Sequence, residues 1–219
     1  MTKVLVTDTN LENIAEAIRS KTGGSDTYKP SQMATAINNL STKIVLPLQG
    51  ISFGFSNSSS AITNLFNGLN TSQVWRFDHF FQGSGNSGDN LDGNPPLFDT
   101  SNGEFFYEMF YYQTRITSIP QYNTSKGRDF REMFYSCSSL ETVPILDLSS
   151  ATNLSDMFLG CSSLSNDSLN NILYMLANAT SYTGTKTLAY VGLSSSQATT
   201  CTGLSNYDDF VSAGWSTGY

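Results

Sequence analysis

The chain has 219 residues, 39% of them hydrophobic and 13% charged, with a formal net charge of −7. That length suits one elongated domain or two small ones, and the acidic balance, with no basic stripe to neutralise phosphates, argues against a nucleic-acid partner. No run reaches the roughly 18 apolar residues of a spanning helix, so membrane insertion is not expected. Residues 1–8 lack the apolar core of a secretory signal, while the wealth of Ser, Thr, Asn and Gly suits a secreted or virion-borne, β-rich protein.

Residues 3–7 (Lys-Val-Leu-Val-Thr) read as a short strand or arm. Thr9-Asn10-Leu11-Glu12 is a capping box with Glu at the third helical position, and Leu11, Ile14, Ala15 and Ile18 then fall on one helical face before Gly23-Gly24 ends it. Pro30 suits the first turn of a second helix, whose apolar face is Met33, Ile37 and Leu40. Residues 1–42 therefore form a strand–helix–helix module too small to fold alone, with faces that need a partner surface. The run Asn10-Leu-Glu-Asn-Ile-Ala-Glu-Ala-Ile-Arg-Ser-Lys-Thr-Gly23, followed by Pro30-Ser-Gln-Met-Ala-Thr-Ala-Ile37, resembles a leader of minor tail and fibre proteins of phages and prophages. The resemblance implies attachment or oligomerisation through Leu11, Ile14, Ile18, Met33, Ile37 and Leu40; the alternative is an N-terminal cap for the domain that follows.

Residues 43–55 alternate loosely (Ile44, Leu46, Leu48, Ile51, Phe53, Phe55) and read as one or two strands broken at Pro47 and Gly50. The dominant feature comes next. Asp99-Thr-Ser-Asn-Gly-Glu-Phe-Phe-Tyr-Glu-Met-Phe110, Asn123-Thr-Ser-Lys-Gly-Arg-Asp-Phe-Arg-Glu-Met-Phe134 and Asp147-Leu-Ser-Ser-Ala-Thr-Asn-Leu-Ser-Asp-Met-Phe158 repeat one template at a constant step. Ile116/Leu140/Leu164, Pro120/Pro144 and Cys137/Cys161 keep the same step. A fourth row, Asn70 to Phe81, lies further ahead of Asp99 than one step, which puts an insertion in residues 82–96. A fixed period within the range of roughly 20–50 residues predicts a solenoid whose units cover one another's apolar faces. Within a unit, Asx-x-Ser turns the chain by side-chain bonds to backbone N–H groups. The apolar residue followed by Met-Phe has the i, i+3, i+4 spacing of one or two helical turns, and the residues before each proline form a short parallel strand.

Cys-Ser-Ser-Leu after the Met-Phe pair, with Asp-x-Ser-x-x-x-Asn-Leu-Ser-Asp-Met-Phe, resembles the BspA-like leucine-rich repeat family. The resemblance implies an α/β solenoid of leucine-rich repeats over residues 43–165, and Gln113 departs from it where a cysteine is expected. Cys137 and Cys161, equivalent on neighbouring units, are expected either as a disulfide or as stacked buried thiols acting as small apolar fillers.

The insertion contains Gly83-Ser-Gly-Asn-Ser-Gly88, but no strand precedes it and no helix follows, so a dinucleotide site is rejected. Asp89 and Asp92 are too few for a calcium loop. Residues 166–219 are expected to cap the solenoid: a helix opened by Asn166-Asp-Ser168 with Leu169, Ile172, Leu173 and Leu176 inward, a short helix from Ser194, and a last one from Asn206 with Tyr207, Phe210 and Val211 inward. The ending Leu204-Ser-Asn-Tyr-x-x-Phe-x-x-Ala-Gly-Trp-x-Thr-Gly-Tyr219 resembles the C-termini of phage proteins carrying these repeats.

Chemistry is sparse. His79 is the one histidine, no nucleophile elbow exists, and nothing singles out a carboxylate pair, so no catalytic residue, cofactor or metal is expected. Tyr107, Tyr111, Tyr112 and Tyr135 flank the inward Met-Phe pairs, with Arg115 nearby; they read either as aromatic platforms for a sugar or protein or as packing between units. The expectation is a non-enzymatic virion protein: a tail or baseplate fibre that docks on other virion proteins through its N-terminus, forms a homo-oligomer (a trimer by analogy with fibres) and meets a bacterial surface glycan or protein. The alternatives are a structural or decoration protein of the virion and a bacterial surface adhesin.

Overall fold

The structure is a computed structural model that describes residues 71–72, 74–83, 90–91 and 93–219, and the backbone of two strands, β1 (Val4–Leu5) and β2 (Phe53–Gly54). These two pair in parallel, Val4 opposite Phe53 and Leu5 opposite Gly54. The helices expected within residues 9–40, including the face of Leu11, Ile14, Ile18, Met33, Ile37 and Leu40, lie outside the described residues, as do Asp89 and Asp92.

From residue 71 onward equivalent residues of successive units lie one on another. Phe77, Phe106 and Phe130 form one ring column, with centroids 5.6 and 5.3 Å apart and planes within 8°. Phe81, Phe110, Phe134 and Phe158 form a second, spaced 5.5 to 5.6 Å. Met109, Met133 and Met157 are fully buried beside them. Offset-parallel aromatic pairs each contribute about 0.5–1.5 kcal/mol beyond the area they bury, so each column ties neighbouring units together.

The backbone around these rings is not helical. Alternate N–H groups, those of Phe106, Glu108, Phe110 and Tyr112, donate to Asp129, Arg131, Met133 and Tyr135 of the next unit at 2.8 to 3.1 Å. The intervening N–H groups of Met109, Tyr111 and Gln113 close turns on Phe106, Glu108 and Phe110. This alternation requires left-handed backbone at recurring positions: φ is 57° at His79, 54° at Glu108, 53° at Glu132 and 52° at Asp156. The i, i+3, i+4 spacing therefore marks consecutive turns rather than the helical turns that the spacing suggests, because N–H groups aimed at the neighbouring unit cannot serve an i−4 carbonyl. Likewise the expected short strands are single parallel bridges, Phe105 to Asp129, Asp129 to Asn153 and Ser118 to Thr142. Pro120 and Pro144, which lack an N–H, stop the pairing next to the last of these.

The Asx-x-Ser turns form as expected. Asp99, Asn123 and Asp147 accept the N–H of Ser101, Ser125 and Ser149 at 2.9 to 3.2 Å. Thr71, Thr100 and Thr124 each pass a hydroxyl bond to the carbonyl of the following unit.

Cys137 and Cys161 occupy a column of their own. All three cysteines are free and buried; Cys137 Sγ donates to Phe110 O and Cys161 Sγ to Phe134 O, both at 3.0 Å. Gln113 stands in the same column and does the same work, its Nε2 donating to Phe81 O at 2.6 Å. Its Oε1 also accepts the N–H of Leu91 at 2.7 Å. The departure from the repeat thus carries a second bond that anchors the extra chain in this unit. The bonding offset between units is 28 at Gly83–Tyr111 and 24 at Asn94–Ser118, so the extra residues fall between 83 and 94.

Three helices follow. α1 (Asn166–Ala177) starts one residue earlier than expected, because Ser165 rather than Asn166 caps it by accepting the Ser168 N–H. It buries Leu169, Ile172, Leu173, Met175 and Leu176. Its Ser168 hydroxyl accepts the Val143 N–H, and Met175 Sδ takes that of Leu146, so α1 satisfies groups that a further unit would have met. Over the turn wall, Tyr190 O and Val191 O accept from Asp156 and Phe158 at 2.9 Å. α2 (Ser195–Cys201) has a full Ser194/Gln197 capping box. α3 (Tyr207–Ser212) buries Phe210, but Val211 is 46% exposed: six residues are too few to give an apolar face that wide.

Candidate binding surfaces

The tyrosines separate into two groups. Tyr107 is buried. Its hydroxyl lies 3.3 Å from Arg76 Nη2, the Arg131 guanidinium sits 4.5 Å over its ring, and His79 meets it edge-on at 4.8 Å. Arg76 in turn forks onto Asp78 at 2.8 and 3.1 Å, and the Asp78 hydrogen bond holds its guanidinium pKa above the ordinary value. Burial pushes the Tyr107 phenol upward, reinforced by Asp78 and opposed by Arg76. Tyr107 is a clamp between units.

Tyr111, Tyr112 and Tyr135 are half-buried and come together. Tyr111 and Tyr135 stack at 4.8 Å, 17° between planes; Tyr112 meets Tyr111 edge-on at 4.8 Å and Tyr135 at 5.7 Å. The next residue in this column, Leu159, is 40% exposed. Facing rings spend their faces on each other, so this ridge offers edges and hydroxyls rather than the flat platforms considered from sequence. Beside it run Glu108, Glu132 and Asp156. Glu108 accepts from Gln82 Nε2 at 2.7 Å and lies 3.2 Å from His79 Nδ1. The Glu132 carboxyl is raised by burial first, then by Glu108 and Asp156, against the pull of Arg131. Arg115 is exposed and makes no polar contact among the described residues.

The repeat also carries a concavity not evident from sequence, which shares no lining residue with the ridge. A groove of about 650 Å³ runs along residues 121–125 and 145–149 to Tyr174, Met175, Asn178 and Thr180. Ile145 and Tyr174 are each 43% exposed in it. The signal was present in part: Leu97, Gln121 and Ile145 hold the repeat step and point out while Phe98, Tyr122 and Leu146 point in. Tyr174 lies off the apolar face of α1.

Among the described residues, no three His, Cys, Asp or Glu side chains gather to hold a metal ion, and no helix is long and apolar enough to cross a membrane. No curated protein and no solved structure matches the chain. Residues 49–172 match the family described as Mycoplasma protein of unknown function, DUF285. That match spans more than half of the 219 residues, and the chain belongs to the DUF285 family.

Proposed function

We propose that this DUF285 chain is a non-enzymatic display protein: a leucine-rich-repeat solenoid of the BspA-like kind whose outer wall recognises a bacterial surface glycan or protein. The observation that carries the reading is the continuous ridge of Tyr111, Tyr112, Tyr135 and Leu159 flanked by Glu108, Glu132 and Asp156, surface chemistry suited to a polar partner rather than to bond-making. The setting we propose is a phage tail or baseplate fibre, docked on other virion proteins and oligomerised through residues 1–42. The N-terminal leader and the closing Leu204-to-Tyr219 motif support it. A structural or decoration role in the same particle would use the same leader without the ridge. The family description names a cellular organism, which favours a second reading, a bacterial surface adhesin.

The test compares binding of the full chain and of the Tyr111→Ala/Tyr135→Ala variant to candidate host cells, alongside mass spectrometry of purified particles from the source of the gene. We expect loss of cell binding in a variant that keeps its circular dichroism, with the chain present in particles. Equal binding by both would end the ridge reading, and absence from particles together with presence on cell surfaces would replace the fibre with the adhesin.

A further inference from the structure

The groove beside α1 has a chemistry distinct from the ridge and shares no residue with it. Four of its polar side chains are tethered at one end and free at the other among the described residues. Gln121 Nε2 donates to Ile145 O at 2.7 Å, leaving Oε1. Asn123 Oδ1 accepts the Ser125 N–H and hydroxyl, leaving the Nδ2 donors. Asp147 Oδ1 accepts the Ser149 N–H at 2.9 Å, leaving Oδ2, and Asn178 Nδ2 donates to Tyr174 O at 2.8 Å, leaving Oδ1. Tethering lowers the entropy lost when the free ends engage a ligand.

The exposed large apolar side chains of the lining are Ile145 and Tyr174. Tyr174, unlike Tyr111 and Tyr135, has no ring partner among the described residues, and it shares the lining with the part-exposed Ile145. No Lys, Arg or His lines the groove, while Asp147 does, so an anionic ligand would be repelled. Fixed donors and acceptors, one part-exposed unstacked aromatic ring and no cation suit a neutral polyol with an apolar C–H face. The groove's volume is also that of a small-ligand site. We infer that this groove is a binding site for neutral saccharide, one to three sugar units in length, with Tyr174 as the stacking face and Asp147, Asn123, Gln121 and Asn178 as the hydroxyl partners.

The experiment titrates the full chain with maltotriose, cellobiose and N,N′-diacetylchitobiose, with sialyllactose as the anionic control and a Leu/Ile-rich neutral peptide as the protein-like one, read by saturation-transfer NMR and calorimetry. We expect at least one neutral sugar to bind and the controls not to. Tyr174→Ala should weaken binding about tenfold, the size of one lost stacking contact, and Asp147→Asn, which keeps the turn acceptor, should weaken it as well. Val211→Ser, at an exposed residue outside the groove lining, should leave it unchanged. No binding by any sugar at about 10 mM, preference for sialyllactose or the peptide, or parental affinity in Tyr174→Ala would each overturn the assignment. Because the ridge is tested by Tyr111 and Tyr135 on cells, the two readings fail separately.

Discussion

Replacing Gly127 by alanine places a methyl group where no room exists. A Cβ built there lies 2.2 Å from Phe130 Cζ, 2.8 Å from Cε2 and 2.9 Å from Thr124 O, against the roughly 3.5–4.0 Å of a carbon contact. Phe130 is fully buried and stacked 5.3 Å from Phe106, at 7°, so its ring must tilt out of the column. Overpacking of this kind costs about 1–3 kcal/mol, and loss of the stack about 0.5–1.5 more; restriction of the unfolded chain returns about 0.4–1. The expected net loss in Gly127→Ala is about 1–3 kcal/mol, read from the urea midpoint at constant slope. The next unit supplies the compensating design, since it carries Ala151 and Leu154 where this one carries Gly127 and Phe130. Gly127→Ala/Phe130→Leu should therefore be more stable than the two single losses add to, with a coupling of at least about 1 kcal/mol. A neutral Gly127→Ala, or a coupling near zero, would refute the clash. It would show that the unit adapts as the first described one does, where Val74 stands before Phe77 and the column still holds at 5.6 Å.

Gln113→Leu leaves Phe81 O and the Leu91 N–H without their side-chain partner and should cost about 2–4 kcal/mol, with hydrogen exchange quickening first at Leu91. Ser136 has φ of 57°; Ser136→Gly should raise stability by about 0.5 kcal/mol and Ser136→Val lower it by more than about 1, both readable as shifts in melting temperature. Burial lifts all three thiols, Cys161 to about 12 and Cys201 to about 11, so the folded protein should not react with a disulfide reagent at pH 8, whereas the urea-unfolded chain should titrate three thiols. The same shift fixes a sign. Above the unfolded thiol's pKa of about 8.5 the unfolded state binds fewer protons than the folded one. Stability is therefore complete below that value and falls as pH rises toward about 12, with a limiting slope for Cys161 that corresponds to one proton. Cys161→Ala should flatten that slope in urea midpoints measured across the alkaline range.

What the repeat makes legible is whatever recurs at its constant step. Phe130 and Phe134, Met133 and Met157, and Cys137 and Cys161 can be placed inward and in columns without coordinates, because a period this strict lets equivalent side chains meet only one another. The backbone between them is not legible in the same way. An αL residue and a helical one leave the same i, i+3, i+4 trace, and Glu108, Glu132 and Asp156 are not the Gly or Asn that would announce left-handed backbone. Gln113 reads as a lost cysteine, when the longer side chain reaches the same carbonyl and has an oxygen to spare for Leu91.

The groove inferred to hold saccharide sits where the repeat meets its cap, and the reason is physical. Where a column is regular, as with Tyr111 over Tyr135, each ring uses its faces on its neighbours and the contact stabilises the stack. An unstacked ring arises where the next equivalent residue is missing or changed. Tyr174 is such a place: α1 occupies the position of a further unit, carries its own outward side chain and leaves that ring without a neighbour to cover it. Leu97, Gln121 and Ile145 keep the outward register while changing chemistry at each step, and of these Gln121 and Ile145 line the groove. A site of this kind joins a repeat position to a cap residue about 29 positions away, as Leu146 meets Met175. The two segments follow different periodicities, so the geometry that brings Ile145 and Tyr174 to one groove belongs to the packing of α1 rather than to the repeat.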